Sequence, residues 1–279
     1  MRIHVHTRVR NEETMLPYFL RHYETFCEKI FIRAEESEDK TLEIAKEHPK
    51  VVLVEPTFEY SGDKNIYDIR DLMEHRNDGW KEYSTPENCD WVIIVDCDEL
   101  LYHKNIEDVL SRYTEERVTF PKILGFQMHS LTPPTTNGQI YEELNNGFPM
   151  IEYSKRAIMQ PGVSPHYSPG WHHCAPGGRV VESKETEIQL FHYSKQIFGK
   201  DALIKSWERR MLSSVGNPGT NNCFDKQVIE SLYSLYSLTM KSYMKYLEGG
   251  SQRFERSTQL YNVLTYNKDK SKGESNDSI

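Results

Sequence analysis

Residues 90–102 read "DWVIIVDCDELLY". Five apolar residues, Trp91 to Val95, run without a break into Asp96, Asp98 and Glu99. A run that is apolar at every position, rather than at alternate ones, suits a strand covered on both faces, as parallel strands of an α/β sheet are. The carboxylates that follow belong in water unless a positive group meets them at the strand end. The stretch therefore predicts a buried strand that delivers its carboxylates either to a solvated turn or to a cation.

Three more strands precede it. Residues 2–9, "RIHVHTRV", alternate Ile3, Val5, Thr7 and Val9 against Arg2, His4, His6 and Arg8, a strand pattern. "KIFIRA" and "VVLVEP" are two further short apolar runs. Between them lie helical patterns. "EETMLPYFLRHYETFC" spaces Leu16, Phe19, Leu20 and Tyr23 on one helical face, and "SEDKTLEIAKEH" offers Ser37 or Asp39 as an N-cap. Residues 66–83 carry Ile66, Ile69, Leu72 and Met73 at helical spacing. The first hundred residues thus read β-α-β-α-β-α-β, which predicts a mostly parallel sheet flanked by helices. Ligands of such sheets bind beyond the carboxyl ends of the strands. Arg8 to Asn11, Glu35 to Asp39, and Asp96 to Glu99 all fall at such ends.

Residues 120–190 change character. They are rich in Pro and Gly, as in "SLTPPTTNGQ" and "QPGVSPHYSPGWHHCAPGG", with short runs such as "GFQMHSL" and "EIQLFHYS". Short strands, some antiparallel, and long functional loops are expected. Residues 199–215 and 225–247 read as helices, and the polar end reads as a disordered tail. The resulting division is one domain over 1–215 (a nucleotide-binding half, 1–120, and an acceptor half, 121–215), a helical extension over 216–265 and a tail over 266–279. Leu232, Tyr233, Leu235, Tyr236, Leu238, Met240, Tyr243 and Tyr246 form a stripe that reads as a helix packing on the core rather than on a membrane.

At 279 residues, with 37% hydrophobic and 27% charged residues, the chain is long enough to bury a sizeable core under a polar surface. A formal net charge of −8 argues against nucleic acid as the main partner. The five cysteines form no Cys-x-x-Cys pair, and the start "MRIHVHTRVRNEE" is charged, so reduced thiols in the cytoplasm are expected. No apolar run is long enough to span a bilayer.

Asp-x-Asp at a strand end can bring two carboxylates to one hard cation. Mg²⁺ and Mn²⁺ prefer oxygen ligands and leave room for substrate phosphates. A phosphatase using Asp-x-Asp as nucleophile and acid also wants the motif after an apolar strand. Such enzymes carry it on the first strand, with Thr or Val after it, whereas here Glu-Leu-Leu follows the fourth.

With "TRVRNEETMLPYFLRHY" (7–23), "SEDKT" (37–41), "RNDGW" (76–80), "DWVIIVDCDELLY" (90–102), "GWHH" (170–173) and "LFHYS" (190–194), the chain resembles a GT-A-type glycosyltransferase of the family-2-like kind over residues 3–200. The resemblance implies an α/β, Rossmann-like GT-A fold with a C-terminal helical extension, a nucleotide-diphosphate sugar as donor and a glycan or glycoconjugate hydroxyl as acceptor. It implies that Asp98, with Asp96 beside it, contacts a divalent metal and the diphosphate or ribose. It implies that segment 7–12, with Thr7, Arg8, Val9, Asn11 and Glu12, lines the nucleotide pocket. The family's second strand usually ends in Asp, but here the run is "RAEESEDKT", so Glu35 or Glu36 takes that place. Arg76 and Asn77 match a polar pair placed for donor contact.

Histidines complete many metal sites of this type. Imidazole favours Mn²⁺ over Mg²⁺, and His172, His173 and His192 are the candidates, with His192 preferred and His172 next. His4 and His6 share a strand face within the first strand and read as structural. Inverting transfer needs a carboxylate base for the acceptor hydroxyl. Glu142 and Glu143, beside "TPPTTNGQIY", are preferred among Glu142, Glu143, Glu152, Glu182, Glu185 and Glu187. Glu99 would orient a ligand or hold the strand-end turn. Arg8, Arg10, Lys64, Arg70, Arg76, Lys155 and Arg156 are available to offset a leaving diphosphate, and Trp171 to stack on a sugar ring. The expected function is metal-dependent, inverting sugar transfer. The alternatives are a non-catalytic nucleotide-sugar or glycan binder and the phosphatase.

Overall fold

The computed structural model describes residues 1–54, 73–130, 132–168 and 173–199, with Ala202 and residues 261–262. The chain divides into two units. The first comprises Met1–Glu59, Asp68–Phe126 and Met150–His192; the second comprises Tyr60–Tyr67, Gln127–Pro149 and Tyr193–Ile279.

The first unit is an α/β structure built on a mainly parallel sheet. Its strands are β1 (Ile3–Val9), β2 (Lys29–Ala34), β3 (Val51–Val54) and β4 (Trp91–Ile94), in the order β3-β2-β1-β4 and all parallel. β8 (Ile158–Met159) closes the β4 edge antiparallel. The helices α1 (Leu16–Tyr23) and α2 (Thr41–Glu47) connect the first strands, with Leu16, Phe19, Leu20 and Tyr23 buried as their spacing predicts.

Two elements were not expected from sequence. After four residues beyond β4 the chain re-enters a sheet as β5 (Glu99–Tyr102), and α3 (Ile106–Glu115) follows. β5 pairs antiparallel with β9 (Ile188–His192), which neighbours β6 (Ile123–Met128). The reason lies in "ELLY": Leu100 and Leu101 are fully buried, so the chain turns at the carboxylates and goes straight back into the core. α1 fastens that return. The Tyr23 hydroxyl donates to the Glu99 carbonyl at 3.0 Å and accepts from the Leu101 N–H at 3.0 Å, and the His22 ring bonds the Leu101 carbonyl at 2.7 Å.

One face of β1 is polar yet buried. His4 and His6 are each 1% exposed and share the Ser84 hydroxyl, at 2.8 and 2.7 Å. The expectation of a structural pair holds, and both imidazoles are pushed down by burial, His6 to about 3. A single O–H can donate to one ring only, so Ser84 accepts from the other and fixes both tautomers. Ser84→Ala is expected to cost about 2 kcal/mol in urea unfolding, because it leaves buried ring nitrogens without a partner.

Of the helix expected over 66–83, residues 66–72 lie outside the described residues; Met73 and Glu74 are helical and run into a π-helical turn, His75–Gly79, followed by turns to Tyr83. A core of Trp80, Cys89, Val92, Ile94, Phe120 and Met159 packs between this segment and the edge of the sheet. Cys27, Cys89, Cys97 and Cys174 are free thiols, and burial pushes Cys27 and Cys89 up to about 12. The second unit contains a short helix, α4 (Ile140–Glu143), and β7 (Asn146–Pro149), which pairs with residues Tyr261–Asn262. The helices expected at 199–215 and 225–247, with the Leu/Tyr stripe, and the tail at 266–279 lie outside the described residues but for Gly199 and Ala202. Among the described residues no helix is long and apolar enough to cross a membrane.

Candidate active site at the strand ends

The turn Asp96–Cys97–Asp98 leaves the carboxyl end of β4 and is closed by two local bonds. The Glu99 N–H donates to the Asp96 carbonyl at 3.0 Å, and the Asp96 N–H donates to Glu99 Oε2 at 3.1 Å. The Glu99 side chain is 2% exposed, and its other oxygen accepts from Lys155 Nζ at 2.5 Å. Glu99 thus holds the strand-end turn from inside.

Asp96 faces two cations. The Arg76 guanidinium donates to its Oδ1, and Lys155 Nζ lies 3.7 Å from its Oδ2. Burial works to raise the Asp96 carboxyl, but Arg76, Lys155 and His192 outweigh it and hold the group below its ordinary value. Burial likewise works to lower the Lys155 ammonium, yet Glu99 and Asp96 raise it above the usual lysine range. Arg76, Asp96, Lys155 and Glu99 form a row of alternating charge.

Asp98 points elsewhere. Its Oδ2 is 3.6 Å from His192 Nε2, and both side chains are partly open to solvent. The register of β9 against β5 makes this possible, because His192 lies directly opposite Glu99. Among the described residues no set of three or more His, Cys, Asp or Glu surrounds one point. A carboxylate and an imidazole so close still fit a divalent ion that draws its remaining ligands from phosphate oxygens and water. His172 and Trp171 lie outside the described residues.

The other predicted donor contacts sit at the ends of β1 and β2. Arg8 Nε donates to Glu35 Oε1, with both side chains less than a tenth exposed. The loops after the two strands are laced together. The Glu38 N–H donates to Asn11 Oδ1 at 2.8 Å, the Asn11 N–H to Ser37 Oγ at 3.1 Å and the Glu12 N–H to Thr41 Oγ1 at 2.6 Å. Asn11 takes φ 51°, a left-handed conformation that Asn tolerates well. Thr7 and Val9 are buried in the core at 0% and 1% exposure. Asn77 clamps the backbone of Tyr167, accepting from its N–H at 2.7 Å and donating to its carbonyl at 3.4 Å.

Glu142 and Glu143 lie in the second unit. Glu143 accepts from the Thr135 and Thr136 N–H groups at 3.0 and 2.8 Å, and Glu142 from the Gln139 N–H at 3.3 Å. Both carboxylates therefore hold the "TPPTTNGQ" loop onto α4. Among the other glutamates, Glu182 pairs with Arg156 and Glu187 with Arg112.

Three residues at the site escaped sequence reasoning. Arg33 is 1% exposed on β2, opposite Arg8 across the parallel pair. His75 is 4% exposed, and its buried Nδ1 has no hydrogen-bond partner among the described residues. Burial first, then Arg33, His6, Arg76 and Arg8, push its imidazole well below the ordinary value. Tyr153 stacks on His192, with ring centroids 4.0 Å apart and planes 14° from parallel. The inward face of β1 is legible as alternation; which residues cross from the π-turn to meet it is not.

No protein-family model matches the chain, and no curated protein matches it. Among solved structures it is similar to S. aureus TarS, with a TM-score of 0.42 and 12% identity over 82% of this chain and 41% of that one. TarS 1–349 in complex with UDP-GlcNAc gives a TM-score of 0.40 and 10% identity over 84% and 70%. Glucosyl-3-phosphoglycerate synthase from Mycobacterium tuberculosis, in complex with Mn²⁺, UDP and glucosyl-3-phosphoglycerate, gives 0.31 and 15% over 44% of each chain. The chain spans less than half the length of TarS and of that synthase.

Proposed function

We propose that the protein is a GT-A-type glycosyltransferase that moves a sugar from a nucleotide-diphosphate donor to a hydroxyl of a glycan or glycoconjugate, with a divalent metal. The observation that carries this reading is the Asp-x-Asp turn at the carboxyl end of a parallel strand. Asp98 there sits beside His192, and Asp96 is ringed by Arg76 and Lys155. In this reading Asp98 and His192 hold Mn²⁺, or Mg²⁺ less well. The ion, when bound, neutralises charge on the departing diphosphate. Arg76 and Lys155 supply fixed positive charge to the same oxygens, already oriented by Asp96 and Glu99, so little reorganisation accompanies the reaction. The Arg8–Glu35 pair and the laced loops at Asn11 and Glu12 form the nucleotide end of the donor site, with Thr7 and Val9 contributing backbone and Asn77 supporting Arg76 through the Tyr167 loop. Inversion at the sugar, with Glu142 or Glu143 as base, remains part of the proposal, as does a cytoplasmic location.

The test is thermal stabilisation and sugar release across UDP-, GDP- and dTDP-sugars, with Mn²⁺ or EDTA, on the wild type and Asp98→Asn. One nucleotide class should stabilise the wild type only with metal, with slow release of sugar. Asp98→Asn should lower that release by roughly 10²–10³-fold while keeping the melting temperature of the free protein. Silence toward every donor, with phosphate released from simple esters, overturns the reading in favour of a phosphatase.

A further inference from the structure

We infer that one turn, Met150 to Lys155, anchored on Gly125, positions both halves of the site, and that Tyr153 in it is the residue that orients the metal-binding imidazole. This rests on the reading of Asp98 and His192 as metal ligands.

The anchor is a contact that a side chain would forbid. A Cβ at residue 125 would lie 2.0 Å from the Tyr153 carbonyl carbon, 2.1 Å from its oxygen and 2.4 Å from the Ser154 nitrogen. These are backbone atoms, which cannot swing aside as a side chain can. The seat is completed by hydrogen bonds from the Met150 N–H to the Gly125 carbonyl at 2.9 Å and from the Gly125 N–H to Ser154 Oγ at 3.1 Å. Gly125 therefore fixes where the 3₁₀ turn Ile151–Tyr153 lies against β6.

Two side chains of this turn reach the site from that fixed point. The Tyr153 ring covers one face of the His192 imidazole. The outer torsion of a histidine is broad when nothing touches the ring. A ring stacked at this distance restricts the plane of the imidazole, and in that plane Nε2 lies 3.6 Å from Asp98 Oδ2. Two residues on, Lys155 reaches Glu99 and Asp96, with its Nζ 5.8 Å from the Tyr153 ring centroid. The same short turn thus sets the imidazole beside Asp98 and the ammonium beside Asp96. Groups that orient a metal ligand without touching the metal govern affinity by about 10–100-fold, and Tyr153 is placed to act in this way. It is a positioning residue.

The experiment measures binding of Mn²⁺ alone, from the electron paramagnetic resonance signal of the free ion, for the wild type, His192→Ala, Tyr153→Phe, Tyr153→Ala and Gly125→Ala. His192→Ala should abolish binding. Tyr153→Phe keeps the stack and should stay within about twofold of the wild type, while Tyr153→Ala and Gly125→Ala should each weaken binding by about tenfold, Tyr153→Ala with little change in melting temperature. Should Gly125→Ala fail to fold, Tyr153→Ala carries the test. Wild-type affinity in Tyr153→Ala, with binding lost in His192→Ala, overturns the inference and leaves the metal site standing. No Mn²⁺ binding by the wild type, or full binding by His192→Ala, overturns the metal reading and the inference with it.

Discussion

Taking the protein from pH 6.5 to about 4.5 should remove on the order of 4 kcal/mol of folding stability through His6 and His22, with His75 adding loss in the same direction. Each imidazole is enclosed in the first unit and held neutral. Burial pushes His6 to about 3 and His22 to about 4, and burial with the surrounding arginines pushes His75 well below its ordinary value. In the unfolded chain each takes a proton near pH 6.5. A folded-state value depressed below the unfolded one leaves stability intact above pH 6.5. It is lost progressively as the pH falls from there toward the folded values, at up to about 1.4 kcal/mol per pH unit per histidine. Asp96, whose carboxyl is also held low, adds loss in the same direction at still lower pH. The expected loss is a large fraction of the whole stability of an ordinary domain, so the first unit should become much easier to unfold near pH 4.5. The check is urea unfolding at a series of pH values, where the slope of stability against pH should correspond to at least two protons. His22→Gln keeps a donor toward the Leu101 carbonyl and should lower that slope by about one proton. A slope near zero between pH 6 and 5 would show that these rings are not neutral and enclosed.

The second large effect belongs to Lys155. Lys155→Met should destabilise the protein by about 3–5 kcal/mol, because it leaves the Glu99 carboxylate buried without its ammonium. The cost arises from the abandoned charge more than from the lost bond. The double variant Lys155→Met/Glu99→Gln should therefore recover most of the stability, since an amide oxygen still accepts from the Asp96 N–H and carries no charge to strand. Urea unfolding of the two single variants and the double variant measures the coupling. Additive losses would mean that Glu99 and Lys155 do not depend on each other. Asp98→Asn offers the contrast: Asp98 is partly open to solvent and lies outside this row, so its loss should be read in sugar release rather than in stability.

Much of this architecture is fixed by local pattern. Alternation along residues 3–9 and the unbroken apolar runs at β2, β3 and β4 specify strands, and the helical spacing from Leu16 to Tyr23 specifies what lies between them. Those periods are properties of neighbouring residues, so they can be read without the fold. The same logic places Asp96 and Asp98 at the carboxyl end of a buried strand. Which partner each carboxylate meets is a different matter. Arg76 arrives from a π-turn, Lys155 from a turn that depends on the missing side chain of Gly125, and His192 from a strand whose antiparallel register sets it opposite Glu99. Neither a π-turn nor a strand register has a sequence period of its own, because each is decided by packing between segments far apart in the chain. The sequence alone therefore determined the parallel sheet and the presence of acids at its edge. Only the tertiary structure divided those acids, Glu99 to hold the turn, Asp96 to pair with cations and Asp98 to stand beside an imidazole, since charge pairing in a buried site depends on distances that no spacing along the chain records.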